Sequence, residues 1–206
     1  MTQAPLMDRI HITEDYDVPR VINGGWQLSA GHALERPLDL ADASRAFNRL
    51  IDMGFDTFDC ADIYTGVEDF FGGIIRERRK AGLRLPQIHT KFVPDLNDLA
   101  NVTPAYIENI ITRSLRRLGV ERLDAVQFHW WDYSVPGMVD VAGELVRLQE
   151  KGLIRLISTT NFNAVELRKL IDAGIPVATN QCQYSVLDRR PAMRLERDRK
   201  STRLNS

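Results

Sequence analysis

The sequence predicts an α/β fold built on a parallel sheet, and three observations carry that prediction. Short β-branched or apolar runs alternate with amphipathic stretches of about 10–15 residues along the 206-residue chain. Glycines stand just after several of the amphipathic stretches, where a helix would stop. Each predicted strand also ends in, or runs into, polar or reactive residues, as parallel α/β sheets do.

Ile10–Ile12 and Arg20–Ile22 flank a turn containing Pro and Asp, which predicts a short N-terminal hairpin. Val21–Asn23 reads as the first strand of the sheet proper, ended by Gly24 and Gly25. Leu40–Met53 reads as a helix: Ala43, Ala46, Phe47, Leu50 and Ile51 recur at helical spacing, and Gly54 stops it. Thr57–Asp59 is the second strand and Glu68–Lys80 the second helix, with Arg76, Arg78, Arg79 and Lys80 where the helix dipole favours cations. Ile88–Lys91 is the third strand. Thr103–Leu118 is the clearest helix, with Thr103 as cap, Pro104 in the first helical position and Gly119 as stop. Ala125–His129, Leu153–Ser158 and Val177–Gln181 are strands four to six. Val139–Lys151 and Ala164–Ala173 are the helices between them. Periodicity alone admits a doubly wound open sheet or a (β/α)8 barrel with about six of its eight units present. No G-x-G-x-x-G follows the first strand, which argues mildly against a dinucleotide-binding half of the first kind.

Composition narrows the function classes. The chain is 44% hydrophobic, with 27 basic and 28 acidic side chains and a net charge of −1. No basic stripe is present for nucleic acid, and no apolar run approaches the roughly 20 residues of a membrane helix. The first residues, MTQAPLMDRIHITEDYD, lack the apolar core of a secretory signal. Cys60 and Cys182 stand far apart with no partners at metal spacing. They predict a reducing, cytoplasmic compartment and small buried side chains. Nothing speaks to oligomeric state.

The strand ends carry the chemistry. Asp59, Lys91 and His129 end three successive strands, and Tyr64 follows Asp59 by five residues. In a barrel they converge on one mouth. Reducing a carbonyl requires a proton on its oxygen. A phenol with a pKa near 10 gives it up more readily beside an ammonium, a carboxylate keeps that ammonium charged, and an imidazole orients the oxygen. The hydride must come from a cofactor.

At these residues the chain resembles the aldo-keto reductase family. GFDTFDCADIYTGVEDFFG is similar to the family signature. The similarity continues through HTKF, SLRRLGVERLDAVQFHWWD, KGLIRLISTTNF and NQCQYSVLDRR, from Val21 to Arg190. The resemblance implies an incomplete (β/α)8 barrel over residues 1–194, with 195–206 a non-native tail. It implies an NADP-dependent oxidoreductase (NAD also admitted) acting on small carbonyls. Tyr64 would be the general acid, Asp59 and Lys91 its tuning pair, and His129 the orienting group. Asp59, Thr160, Asn161 and Gln181 would bind cofactor, and Trp26 and Trp130 would line the substrate pocket. Thr160 stands where the family usually has serine, and Ser158 where it has glycine, which would crowd the nicotinamide. Tyr184 does not match the tyrosine that stacks on the nicotinamide. A cofactor-sensing regulatory subunit, or an inactive fragment, is the alternative.

Plainer readings stand beside these. Asp59–Lys91 alone reads as a structural ion pair, and His129 alone as a core histidine. Trp131 reads as packing, RERRK at 76–80 as a solvated helix end, and Thr160 and Asn161 as caps for the helix at Ala164. A barrel of this type takes about 250 residues. Strands seven and eight, which by the resemblance bring most of the phosphate contacts, are not in the sequence. Two sheet edges are then unpaired, and the 206-residue chain is expected to hold nicotinamide cofactor weakly or not at all. Cofactor fluorescence on the purified chain checks this; micromolar affinity would overturn it.

Overall fold

The computed structural model describes residues 8–30 and 39–189. Its elements follow the predicted alternation. An antiparallel hairpin, β1 (Arg9–Thr13) and β2 (Tyr16–Pro19), precedes six strands: β3 (Asn23–Gly24), β4 (Thr57–Asp59), β5 (Gln87–Phe92), β6 (Leu123–Phe128), β7 (Ile154–Thr160) and β8 (Val177–Gln181). Between them lie helices α1 (Leu40–Asp52), α2 (Val67–Lys80), α3 (Pro104–Leu118), α4 (Met138–Glu150) and α5 (Ala164–Asp172). The six strands are parallel and pair in chain order, β3 to β8. The predicted 195–206 tail lies outside the described residues, as does the end of the predicted 1–194 domain. No helix among the described residues is long and apolar enough to cross a membrane.

The sheet is curled. Gln181 on β8 donates to Asp59 on β4 at 3.1 Å, although four strand spacings separate them. In a flat sheet those spacings would hold the strands about 19 Å apart. The six strands therefore form the incomplete wall of a barrel, with helices outside. The main core fills the gap between wall and helices: Phe58, Phe71, Ile74, Ile88, Phe92, Ile111, Phe128, Leu145 and Leu170 are all buried there. Phe47, Phe58, Phe70 and Phe71 meet ring to ring, at centroid distances of 5.1–5.6 Å, where α1 and α2 cover β4.

Two elements differ from the sequence reading. The hairpin's second strand is Tyr16–Pro19 rather than Arg20–Ile22, because Tyr16 and Val18 alternate inward and bury on Ala125 and Leu156. Val21 and Ile22 stay exposed, and the first barrel strand shrinks to Asn23–Gly24. Polar clamps seat the hairpin on the wall. Arg9 reaches Asp17 at 2.5 Å and buried Asp56 at 2.9 Å, and Arg84 holds Asp56 from the other side. Arg155 lies 4.7 Å over the Tyr16 ring and donates to the Asp15 carbonyl.

The RERRK segment is also not simply solvated. Arg78 is buried, donating to the Arg84 carbonyl at 2.6 Å, Asn48 at 2.8 Å and Asp52 at 2.7 Å, which locks α2 to α1. Asn163 caps α5, accepting from the amides of Val165 and Glu166. Thr160 and Asn161, read as alternative caps, lie further back, and Asn161 adopts a left-handed conformation with φ 61°. Two 3-10 turns, Trp26–Leu28 and Leu96–Asn101, have no periodicity long enough to be foreseen.

Two outcomes follow from this packing. Gly72 on α2 faces the Arg117 carbonyl of α3 so closely that a Cβ would stand 2.0 Å from it. Gly72→Ala must push the helices apart and is expected to cost about 1–3 kcal/mol, read from urea unfolding; an unchanged midpoint would refute the contact. Buried His89 shares a 3.0 Å hydrogen bond with Tyr16, and burial pulls its pKa down to about 4. Its unfolded value is near 6.5, so the unfolded chain gains a proton first as pH falls. The part of the stability that depends on His89 is therefore lost from about pH 6.5 downwards and levels off below the folded value, about 2–3 kcal/mol by pH 4.5, read as the difference between the unaltered chain and His89→Gln. His89→Gln should lose correspondingly less over that range, and an equal loss would exclude His89 as the cause.

Candidate active site

The carboxyl ends of the strands converge on one cleft of about 580 Å³, lined by Trp26, Tyr64, Lys91, His129, Thr160, Asn161 and Gln181 among others. Strand parity places these side chains. On β6 and just beyond it, Gln127, His129 and Trp131 share the inner face, while Phe128 and Trp130 turn outward to the helices. On β5 and just after it, His89, Lys91 and Val93 follow the same parity, and Ile88 and Phe92 pack into the outer core.

Asp59 organises the floor. Lys91 Nζ lies 2.7 Å from both Asp59 oxygens and 2.7 Å from the Cys60 carbonyl. Gln127 Nε2 donates to Asp59 Oδ1 at 2.8 Å, and Gln181 Nε2 to the same oxygen at 3.1 Å. A backbone close to Asp59 is part of this arrangement. Gly25 donates its N–H to the Asp59 carbonyl at 2.8 Å, and a Cβ at Gly25 would stand 3.0 Å from that oxygen and 2.9 Å from Val67.

Tyr64 stands above this floor on the loop between β4 and α2. Its N–H closes a turn onto the Ala61 carbonyl, and its own carbonyl receives the Val67 N–H. Lys91 Nζ lies 5.2 Å from the Tyr64 ring centroid. The sequence leads one to expect the ammonium to lower the phenol's pKa. The structure differs: the ammonium's three donors are directed to Asp59 and Cys60. Burial, followed by the charge of Asp59 and, less, that of Asp62, pushes the phenol up to about 12. The Cys60 thiol is raised further by its burial and is inert at neutral pH.

His129 is half-buried, and desolvation lowers its pKa. Its Nδ1 lies 3.2 Å from the Thr160 carbonyl. A carbonyl only accepts, so Nδ1 carries the proton and Nε2 of the neutral ring bears a lone pair. Such a ring accepts from an alcohol hydroxyl and donates to a carbonyl oxygen only when protonated.

The two tryptophans next to His129 exchange the places expected of them. Trp130, expected in the pocket, is 1% exposed, packs edge-on against Phe128 and donates to the Val135 carbonyl at 3.2 Å. Trp131, expected as packing, is 47% exposed and lines the cleft. Its ring meets His129 edge-on at 4.4 Å, and its Nε1–H is anchored on the Pro94 carbonyl at 2.8 Å. The period of two running from Gln127 was the signal that could have found it. Trp26, named from the resemblance, lines the cleft; Ile63, Val93, Cys182 and Gln183 line it too, with no sequence signal beyond their position. Cys182 is therefore only partly buried. Ser158 does not line the cleft; it is buried, accepting from the Thr179 hydroxyl at 2.9 Å.

The residues expected from the resemblance to hold the nicotinamide are partly engaged with one another. Thr160 Oγ1 donates to Gln181 Oε1 at 3.3 Å, and the Asn161 N–H donates to the Gln181 carbonyl at 2.7 Å. Hydroxyl and amide groups of Thr160, Asn161 and Gln181 thus line the cleft that also holds Tyr64. No His, Cys, Asp and Glu cluster suited to a metal occurs among the described residues.

Known proteins share this arrangement of sequence. The chain is 29% identical over 190 residues to methylglyoxal reductase DkgA of Yersinia pestis, covering 91% of this chain and 60% of that protein. It is 28% identical over 201 residues to the NADH-specific methylglyoxal reductase of Escherichia coli, covering 86% of this chain and 58% of that protein. The chain thus spans about three-fifths of these relatives' length. Its fold matches the crystal structure of a thermostable aldo-keto reductase, Tm1743, in complex with the inhibitor epalrestat. The TM-score is 0.77 at 23% identity, covering 94% of this chain and 69% of that one. The family model for the aldo/keto reductases matches residues 20–199. A match over that much of the chain places it in the aldo/keto reductase family.

Proposed function

We propose that this chain carries the catalytic residues of an oxidoreductase that reduces small aldehydes or ketones with a nicotinamide dinucleotide. The observation that carries the reading is the shared cleft: Tyr64 and His129 at its surface and the Lys91–Asp59 pair beneath.

The phenol, held near 12, keeps its proton throughout the neutral range and is available to donate it. Lys91, fixed by Asp59 and 5.2 Å from the Tyr64 ring centroid, forms the floor beneath that phenol. Thr160, Asn161 and Gln181 would hold the carboxamide of the cofactor, which when bound supplies the hydride. NADP(H) is the first choice by family resemblance. One relative is named as NADH-specific, so NADH is the comparison to run.

Trp26, Ile63, Val93 and Trp131 give the cleft apolar walls. Lys91, the lysine among the lining residues, is already paired to Asp59. That combination favours an uncharged carbonyl over a carboxylate-bearing one. Two relatives named for methylglyoxal, a small uncharged dicarbonyl, accord with this.

In a full-length form of the protein, Tyr64→Phe is expected to lower turnover of small aldehydes by about 10²–10⁴-fold. Cofactor binding, read by fluorescence, should be essentially unchanged. A variant that keeps its rate would remove Tyr64 from the chemistry.

A further inference from the structure

A second polar cluster lies behind the Tyr64 loop, outside the cleft. Asp62 and Glu68 both have side chains 1% exposed. Asp62 Oδ1 accepts the Val93 N–H at 3.2 Å, and Oδ2 faces Arg113 Nη2 at 3.4 Å. The Asp62 carbonyl accepts from Arg117 Nη1 at 3.1 Å, and the same nitrogen reaches Glu68 Oε2 at 3.2 Å. Glu68 Oε1 accepts the Thr90 hydroxyl at 2.7 Å. Arg113 Nε is buried with no protein partner.

We infer that Asp62 is a positioning residue for Tyr64, tethering the loop that carries the phenol to α3 through Arg113 and to the end of β5 through the Val93 amide. The inference deepens the reading of Tyr64 as proton donor and rests on it for any effect on turnover. The tether itself is measurable without turnover.

Three features of the cluster argue for this. First, the tether acts on the right backbone. Asp62 lies two residues before Tyr64, inside the turn closed by the Tyr64 N–H on Ala61. Its Val93 contact lies two residues beyond Lys91, so one carboxylate sets the spacing between the phenol's loop and the ammonium's strand. Second, shape alone does not require an acid. An amide in the same place would also accept the Val93 N–H, yet the chain buries a carboxyl beside Glu68, at a cost in desolvation and like-charge repulsion.

Third, the charge is adjustable. Burial, then Glu68, pushes the Asp62 carboxyl up to about 7, with Arg113 and the Val93 amide opposing. The groups facing it are Glu68 from α2, Arg113 and Arg117 from α3, and the Val93 N–H after β5. Its charge is felt by Tyr64, whose proton it helps retain. When Asp62 is protonated, the Arg113 pairing weakens and the phenol is released from that field. When it is ionised, the loop is drawn to α3 and the phenol holds its proton more firmly.

The test is a titration of the 206-residue chain labelled with ¹³C-tyrosine, with Tyr64 assigned by the signal lost in Tyr64→Phe. The Tyr64 resonance is expected to move with a midpoint near pH 7. In Asp62→Asn, which keeps the Val93 contact, that step should vanish. In Arg113→Met, which removes the opposing cation, the step should move to higher pH. A Tyr64 resonance without a step near neutrality, or a step that survives Asp62→Asn, overturns the inference. A step that behaves as expected in a protein without carbonyl reductase activity would sink the proposed function and leave the tether standing.

Discussion

The carboxylate of Asp59 is the contact on which the rest of the site depends. It accepts from an ammonium on β5 and from carboxamides on β6 and β8, so one side chain gathers most of the curled wall. Removing either member of a buried pair leaves the other charge uncompensated, at a cost of about 3–5 kcal/mol. Lys91, Gln127 and Gln181 can be polar on the inner face because Asp59 gives them a partner. The outer residues are free to be the aliphatic and aromatic side chains that hold the helices. The placement of the cleft residues and the curvature of the wall thus share one anchor.

That division of faces also explains how the loops are held. The loops after β4, β5 and β6 lie side by side at the mouth, and each is fastened to a neighbour by a side chain from another loop or helix. Asp62 binds the Val93 amide, Trp131 binds the Pro94 carbonyl, and the Tyr133 hydroxyl reaches the Asn161 carbonyl at 3.4 Å. Loops fastened to one another can hold a phenol and an imidazole in fixed relation without lengthening the strands.

Much of this was legible in the residues. Thr57–Asp59 and Val177–Gln181 form strands with the bounds their patterns suggested, and Thr103 caps α3 ahead of Pro104 as its position implies. Asp59, Tyr64, Lys91 and His129 were visible because strand ends bring reactive side chains together. What was not legible depends on partners distant in sequence. Gln127 looks like an ordinary strand residue until Asp59 lies across from it. Arg78 is hidden in a basic run whose other members face solvent, and its burial is set by α1 and by a carbonyl beyond α2. Asp62 has no local pattern to mark it, since Arg113 is 51 residues away. The resemblance and a place beside a strand end point to Trp130 for the pocket, whereas strand parity running from Gln127 points to Trp131.

Lys91 has a further consequence for the protein's own survival. Free lysine amines condense with aldehydes to form imines, and a cleft open to such molecules would be among the first places modified. The reaction needs a nitrogen lone pair. Lys91 nitrogen is instead surrounded by the two Asp59 oxygens and the Cys60 carbonyl, all at 2.7 Å, and the residue is only 6% exposed. The grip that holds the cation in place would also keep it from being consumed by any aldehyde that enters the cleft.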